Sequence, residues 1–142
     1  MNPHCSFIIP GTPMPKARHR VGIVNGRLVK YAPSEMKLHE RDVRWLALQS
    51  LGTKKKCEGP IRLVLEFYLS CPKSWSNVKK NKAYALEIMP SGKPDIDNFA
   101  KTIMDACNGI LWRDDAQIVE LVAQKRYAEH ASTCVSVYYF EA

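Results

Sequence analysis

"KPDIDNFAKTIMDACNGILWRDDAQIVEL", residues 93–121, sets four aspartates, Asp95, Asp97, Asp114 and Asp115, at two turn-like places on either side of one amphipathic segment. Within it Ile96, Phe99, Ile103 and Cys107 recur at helical spacing and form an apolar stripe, while Asp97, Lys101, Asp105 and Asn108 fall on a polar one. The spacing predicts a helix that begins beside the first acid pair and stops at Gly109, with the second pair in the turn that leads to the next strand.

Working outward, "AQIVELVAQKRYA" and "STCVSVYYFE" read as two final strands joined near Glu129 to Ala131 and are expected to be antiparallel neighbours. Upstream, "PIRLVLEFYLS" alternates Ile61, Leu63, Leu65, Phe67 and Leu69 at period two, as a half-buried strand must. Between that strand and the acid pair, residues 70–94 show no convincing periodicity and carry Pro72, Pro90, Gly92, Pro94 and the lysines 73, 79, 80, 82 and 93. So long a basic connection reads as a functional loop, part of it mobile or carrying a helical turn. In "EMKLHERDVRWLALQSL", Met36, Leu38, Val43, Leu46 and Leu48 approximate a helical face, with Ser34 as N-cap and Gly52 as the stop. "GIVNGRLVKY" places Asn25-Gly26 between two β-prone runs, the strongest short-range hairpin signal, and "SFIIP" opens the chain as a short strand. Repeats, low-complexity segments and a second domain boundary are all missing, so residues 1–142 are expected to form one domain.

Composition limits the partners. The apolar fraction of 46% and charged fraction of 25% are ordinary for a globular protein. The formal charge of +7 and pI near 9.2 are less ordinary and favour a polyanion such as nucleic acid over an anionic membrane surface. Cys5, Cys57, Cys71, Cys107 and Cys134 are odd in number and lack any C-x-x-C pair, which reads as reduced thiols of a cytoplasmic protein. The four histidines do not fall at zinc-ligand spacing with them. No run approaches the ~20 apolar residues of a membrane span and no leader pattern opens the chain, so no membrane partner is expected.

For the four acids two readings stand side by side. In the first they converge: hard divalent cations such as Mg²⁺ take a few carboxylate oxygens and leave other positions to water and substrate phosphate. Basic residues would then gather phosphates around an acidic centre. In the second, Asp97 caps the helix, Asp95 favours its positive end, Lys101 pairs with Asp97 or Asp105 at i,i+4, and Asp114-Asp115 serve the turn. The path of "ILWRDD" decides whether the two pairs meet.

The same stretch closely resembles the signature of the RusA family of Holliday-junction resolvases, endonucleases common in phages and prophages. "IPGTPMPKARHR", "CPKSWSNVKK" and "VAQKRY" resemble three further family segments, so the likeness spans nearly the whole chain. Its most specific part combines D-x-D-N, a lysine four residues after the second Asp, and D-D-x-Q-I. One departure is His19, at a place that members often fill with proline.

The resemblance implies an α+β fold, a mixed β-sheet with two main helices packed on it, and a symmetric homodimer. It implies Mg²⁺-dependent hydrolysis of branched DNA, above all the four-way junction, by paired nicks that leave 5′-phosphate and 3′-hydroxyl ends in recombination and repair, with no organic cofactor. By position, the metal-binding acids fall on Asp95, Asp97 and Asp115, with Asp114 as a fourth, and the essential lysine falls on Lys101. Lys16, Arg18, Arg20, Lys73, Lys79, Lys80 and Lys82 are the expected DNA contacts, mostly to phosphates. Trp75 fits both base stacking and core packing, Trp112 reads as core, and Asn98 fits both support for the turn and a phosphate contact. Three rivals are a related nuclease of other branched DNA, a non-catalytic DNA-binding module, and a single-strand binder. The adjacent Tyr138, Tyr139 and Phe140 alternate faces and make a poor platform for the last.

Overall fold

The alternation of Ile61, Leu63, Leu65 and Phe67 puts four large side chains on one face, and all four are buried. This strand, β4 (Ile61–Leu69), is one of two central strands in a mixed four-stranded sheet of order β1-β6-β4-β5. The computed structural model describes residues 2–16 and 34–140 in full and residues 20–24 and 27–31 by their backbone. β1 (Cys5–Pro10) runs antiparallel to β6 (Ser132–Tyr139), β6 antiparallel to β4, and β4 parallel to β5 (Ile118–Tyr127). β2 (Arg20–Val24) and β3 (Arg27–Tyr31) form a separate antiparallel pair with Val24 opposite Arg27. Asn25-Gly26, expected as its turn, lie outside the described residues, as do Arg18 and His19.

β5 and β6 are both strands, but they are not neighbours: β4 lies between them. The physical reason is the parallel pairing of β4 and β5, which brings both to the same end of the sheet, Leu69 beside Tyr127. From there residues 128–131 step over the end of β4, where the Ala128 N–H donates to the Leu69 carbonyl at 2.9 Å. Two strand spacings, ~9.6 Å, are within reach of a connection of this length.

Among the described residues, three helices complete the α+β architecture: α1 (Ser34–Leu51), α2 (Asn77–Tyr84) and α3 (Ile96–Cys107). α1 and α3 cover one face of the sheet and contribute Val43, Ala47, Leu51, Phe99, Ile103 and Cys107 to its core. Phe99 stacks on Phe67 with ring centroids 5.1 Å apart, fixing α3 to β4. The stripe read for α3 is the buried one. For α1 it is only half right. Met36, Val43, Ala47 and Leu51 face inward, whereas Leu38 and Leu48 are 51% and 54% exposed. The small Ala47 sits where α1 packs, a position that a count of large apolar residues overlooks. Ser34 is the first helical residue rather than the flanking cap, and Gly52, at φ +58°, ends the helix as expected.

Within residues 70–94, α2 is a full two-turn helix. Ser76 is its N-cap, the side chain accepting from the Lys79 N–H at 3.2 Å. Only Ala83 of its residues is buried, so no apolar period betrays it. Among the described residues, no helix is long and apolar enough to cross a membrane.

Candidate active site

α3 separates the two acid pairs. At its start, Asp95 occupies the N-cap position, and its carbonyl accepts from Asn98 at 3.1 Å and Phe99 at 3.3 Å. The Asp95 side chain makes no capping bond; its two oxygens receive the Lys93 ammonium at 2.8 and 3.0 Å. Asp97, exposed in the first turn, accepts from the Asn98 backbone N–H at 3.0 Å. The positive end of the helix dipole favours both carboxylates there. From β5, the Lys125 ammonium donates to the carbonyls of Gly92 and Pro94 at 2.9 and 3.0 Å, pinning the incoming turn against the C-terminal end of the strand.

One turn further along α3 stands Lys101, 63% exposed, whose ammonium lies 3.6 Å from Asp105. Of the two i,i+4 partners available to it, the structure selects the later one. Asp105 also receives Lys16 at 3.2 Å, and Lys16 reaches Glu40 of α1 at 2.9 Å. Burial alone would lower the Lys16 pKa, but its hydrogen bonds to Glu40 and Asp105 outweigh burial and raise it.

The second acid pair is built differently. After α3 the chain turns at Gly109 (φ +81°), and Trp112 enters the core with no exposed surface. A buried indole N–H needs an acceptor, and Trp112 Nε1 donates to Asp115 Oδ1 at 2.7 Å. Asp114 is the N-cap of a short 3₁₀ turn, Asp115–Gln117, and accepts from the Ala116 N–H at 3.3 Å. Gln117 closes the arrangement. Its Oε1 accepts from the Arg113 and Asp114 N–H groups at 2.6 and 3.0 Å, and its Nε2 donates to the carbonyls of Cys57 and Gly59 at 3.0 and 2.9 Å. Gln117 thus stitches the acidic turn to the segment before β4, a role that D-x-D and D-D counting misses. Burial, followed by the nearby Cys5 and Asp115, pushes the Cys107 thiol well above its usual range, so it stays protonated and inert. All five cysteines are free thiols.

Asp115 lies just before Ile118, where β5 begins, and the Asp95 turn is pinned at Lys125 near the other end of that strand, so at about 3.3 Å per residue the two acid pairs stand on the order of 20 Å apart. Among the described residues, no three His, Cys, Asp or Glu side chains gather into a group that could hold a metal ion. Carboxylate oxygens suit Mg²⁺ chemically, but within one chain these four do not fit a single shared ion.

The basic residues fall unequally. Lys73, Lys79 and Lys82 are exposed and Lys80 half-buried, on the segment that leaves the C-terminal end of β4 and packs against β5. The Asp95 turn, pinned by Lys125, lies at that same end of the sheet. Trp75 is half-buried, edge-on to Tyr127 at 5.2 Å and covered by the Lys79 ammonium at 4.2 Å from its ring centre. It is neither core nor a bare stacking surface. Arg20 opens β2, while Lys16 is turned inward to its two carboxylates.

A comparison with known families matches the model described as Endodeoxyribonuclease RusA to residues 10–138. "Uncharacterized protein YqaN" of Bacillus subtilis (strain 168) is 34% identical over 125 residues, 87% of each chain. The family match takes in both ends of α3, the acidic turn stitched by Gln117 and the basic helix α2. The chain belongs to the RusA family of endodeoxyribonucleases.

Proposed function

We propose that this protein is a structure-specific endodeoxyribonuclease that resolves four-way DNA junctions by paired symmetric nicks, acting as a homodimer in recombination and repair in the cytoplasm. The observation that carries the reading is the exposed start of α3. Asp97 and Lys101 share one helical face there, at the end of the sheet where the α2 lysines stand. Lys73, Lys79, Lys80 and Lys82 gather phosphates without reading sequence. The N-terminal N–H groups of α3 favour an approaching phosphate. Lys101 donates to a phosphate oxygen as negative charge grows in the transition state.

Mg²⁺ belongs to this proposal, with Asp95, Asp97 and Asp115 as its holders and Asp114 kept mainly as a cap. When bound, such an ion lowers the pKa of a water and neutralises phosphate charge. One subunit keeps Asp115 away from Asp95 and Asp97, so pairing of two copies is the arrangement able to bring the acidic turn of one to the helix start of the other. Two-fold symmetry also matches a substrate that must be cut in two strands.

The test is cleavage of a synthetic four-way junction, a flap and a plain duplex, with and without Mg²⁺, alongside light scattering. Expected are paired nicks in the junction only, dependent on Mg²⁺, from a dimer. Junction binding with no cleavage in any divalent metal would leave a non-catalytic binding module. Equal cleavage of the flap would widen the substrate to other branched DNA.

A further inference from the structure

We propose that Asp105 and Lys16 are positioning residues for Lys101, and that Lys16 does not contact DNA phosphate. The inference rests on the reading of Lys101 as the group that meets the scissile phosphate. Asp105 divides its two oxygens between two lysines: Oδ2 lies 3.2 Å from Lys16 and Oδ1 lies 3.6 Å from Lys101. Lys16 holds its end firmly. Its backbone N–H donates to the Asn98 carbonyl in the first turn of α3 at 3.0 Å, and its ammonium, on a side chain 26% exposed, also meets Glu40 of α1 at 2.9 Å. Three segments of chain therefore converge on the Lys16 ammonium.

Lys101 needs that help. A lysine side chain rotates about four bonds, and holding its ammonium in one place costs rotamer freedom unless a partner orients it. Asp97 and Asp105 stand one turn to either side of it and compete for the same ammonium. Pairing with Asp97 would neutralise a carboxylate that the site needs free of that charge. Asp105 draws Lys101 the other way, and Lys16 shares the Asp105 charge so that this hold stays loose enough for Lys101 to meet a phosphate.

A double-mutant cycle on single-turnover junction cleavage tests the pair, with affinity measured separately without divalent metal and folding checked by thermal unfolding. Asp105→Asn, which keeps the shape, is expected to slow cleavage roughly 10- to 100-fold, the range for partners that orient a reacting group, with affinity changed less than about twofold. Asp105→Glu should regain part of the rate. In a Lys101→Ala background Asp105→Asn should slow cleavage no further. Lys16→Gln should lower the rate while leaving the salt slope of binding unchanged. An equal slowing by Asp105→Asn with and without Lys101 would make Asp105 merely structural and overturn the inference. So would a wild-type rate for Asp105→Asn beside a slow Lys101→Ala. A salt slope lower by about one unit in Lys16→Gln would return that lysine to the phosphate contacts. A wild-type rate for Lys101→Ala would instead overturn the role of Lys101 itself.

Discussion

The two ends of α3 carry the same chemical groups in opposite settings. At the start, Asp95 and Asp97 stand on an exposed turn, held by the backbone and by the long side chains of Lys93 and Lys125. After its end, Asp115 is fastened to a fully buried indole, and Asp114 is committed as a cap whose backbone N–H is held by Gln117. An acid held by flexible lysines can be replaced with little loss of fold. One wired into the core cannot. Function and stability should therefore separate at the first end and remain joined at the second.

The largest expected effect breaks the first end. Asp97→Asn or Asp95→Asn should reduce single-turnover cleavage below about 1% of wild type, with unfolding unchanged and junction binding equal or tighter, because negative charge is removed from a phosphate-binding surface. Normal turnover by both variants would remove them from the chemistry.

Next comes the second end. Asp115→Ala should lose cleavage and also about 1–3 kcal/mol of stability, since the Trp112 N–H would be buried without an acceptor. Asp115→Asn keeps an oxygen for the indole and should lose activity with most of the stability retained. Equal denaturant midpoints for the two variants would show that the indole bond does not couple this acid to the fold.

A smaller effect sharpens the contrast between catalysis and binding. Lys79→Ala should weaken junction affinity and lower its salt slope by about one unit, with the cleavage rate at saturation unchanged. A rate loss at full occupancy would move Lys79 from phosphate gathering to the reaction.

The smallest effect concerns pH. Lys16 has a pKa raised above 10.5 in the folded state, so its ion pairs contribute fully below that value and are lost only as pH rises through the folded pKa. Stability of wild type and Glu40→Gln should differ at neutral pH and converge only once the pH has risen through the raised Lys16 pKa. A difference that persists in strong alkali would assign the loss to packing instead.

How much of this was legible in the sequence depends on range. α3 and β4 were readable because their apolar residues keep strict periods over a dozen and nine residues. α1 misled because Leu38, Trp45 and Leu48 point to solvent while Ala47 packs, so size and burial part company. α2 was hidden, since a helix with one buried alanine has no period to read. The neighbours of β5 and β6 were decided by where β4 lies, which no local pattern encodes. For the candidate site, the placement of the acids at the two ends of α3 was legible, but their separation followed from the path of residues 109–117, fixed by Trp112 and Gln117. The inward turn of Lys16 needed Glu40 and Asp105, far away in sequence.

The strand order also sets a schedule for folding. Among the described residues β1 pairs only with β6, Cys5 opposite Val137 and Pro10 opposite Ser132, so β1 waits for the last strand of the sheet. At roughly 5–20 residues per second of synthesis, Phe7 and Ile9 stay without a sheet partner for on the order of 10 s. β4 waits too, because both of its neighbours lie downstream. Such non-local pairing slows folding and exposes unpaired edges during it. A chain cut before Ser132 should show no cooperative unfolding transition, whereas loss of the β2–β3 pair should leave one. Strand edges left unpaired during synthesis are the cost this topology carries.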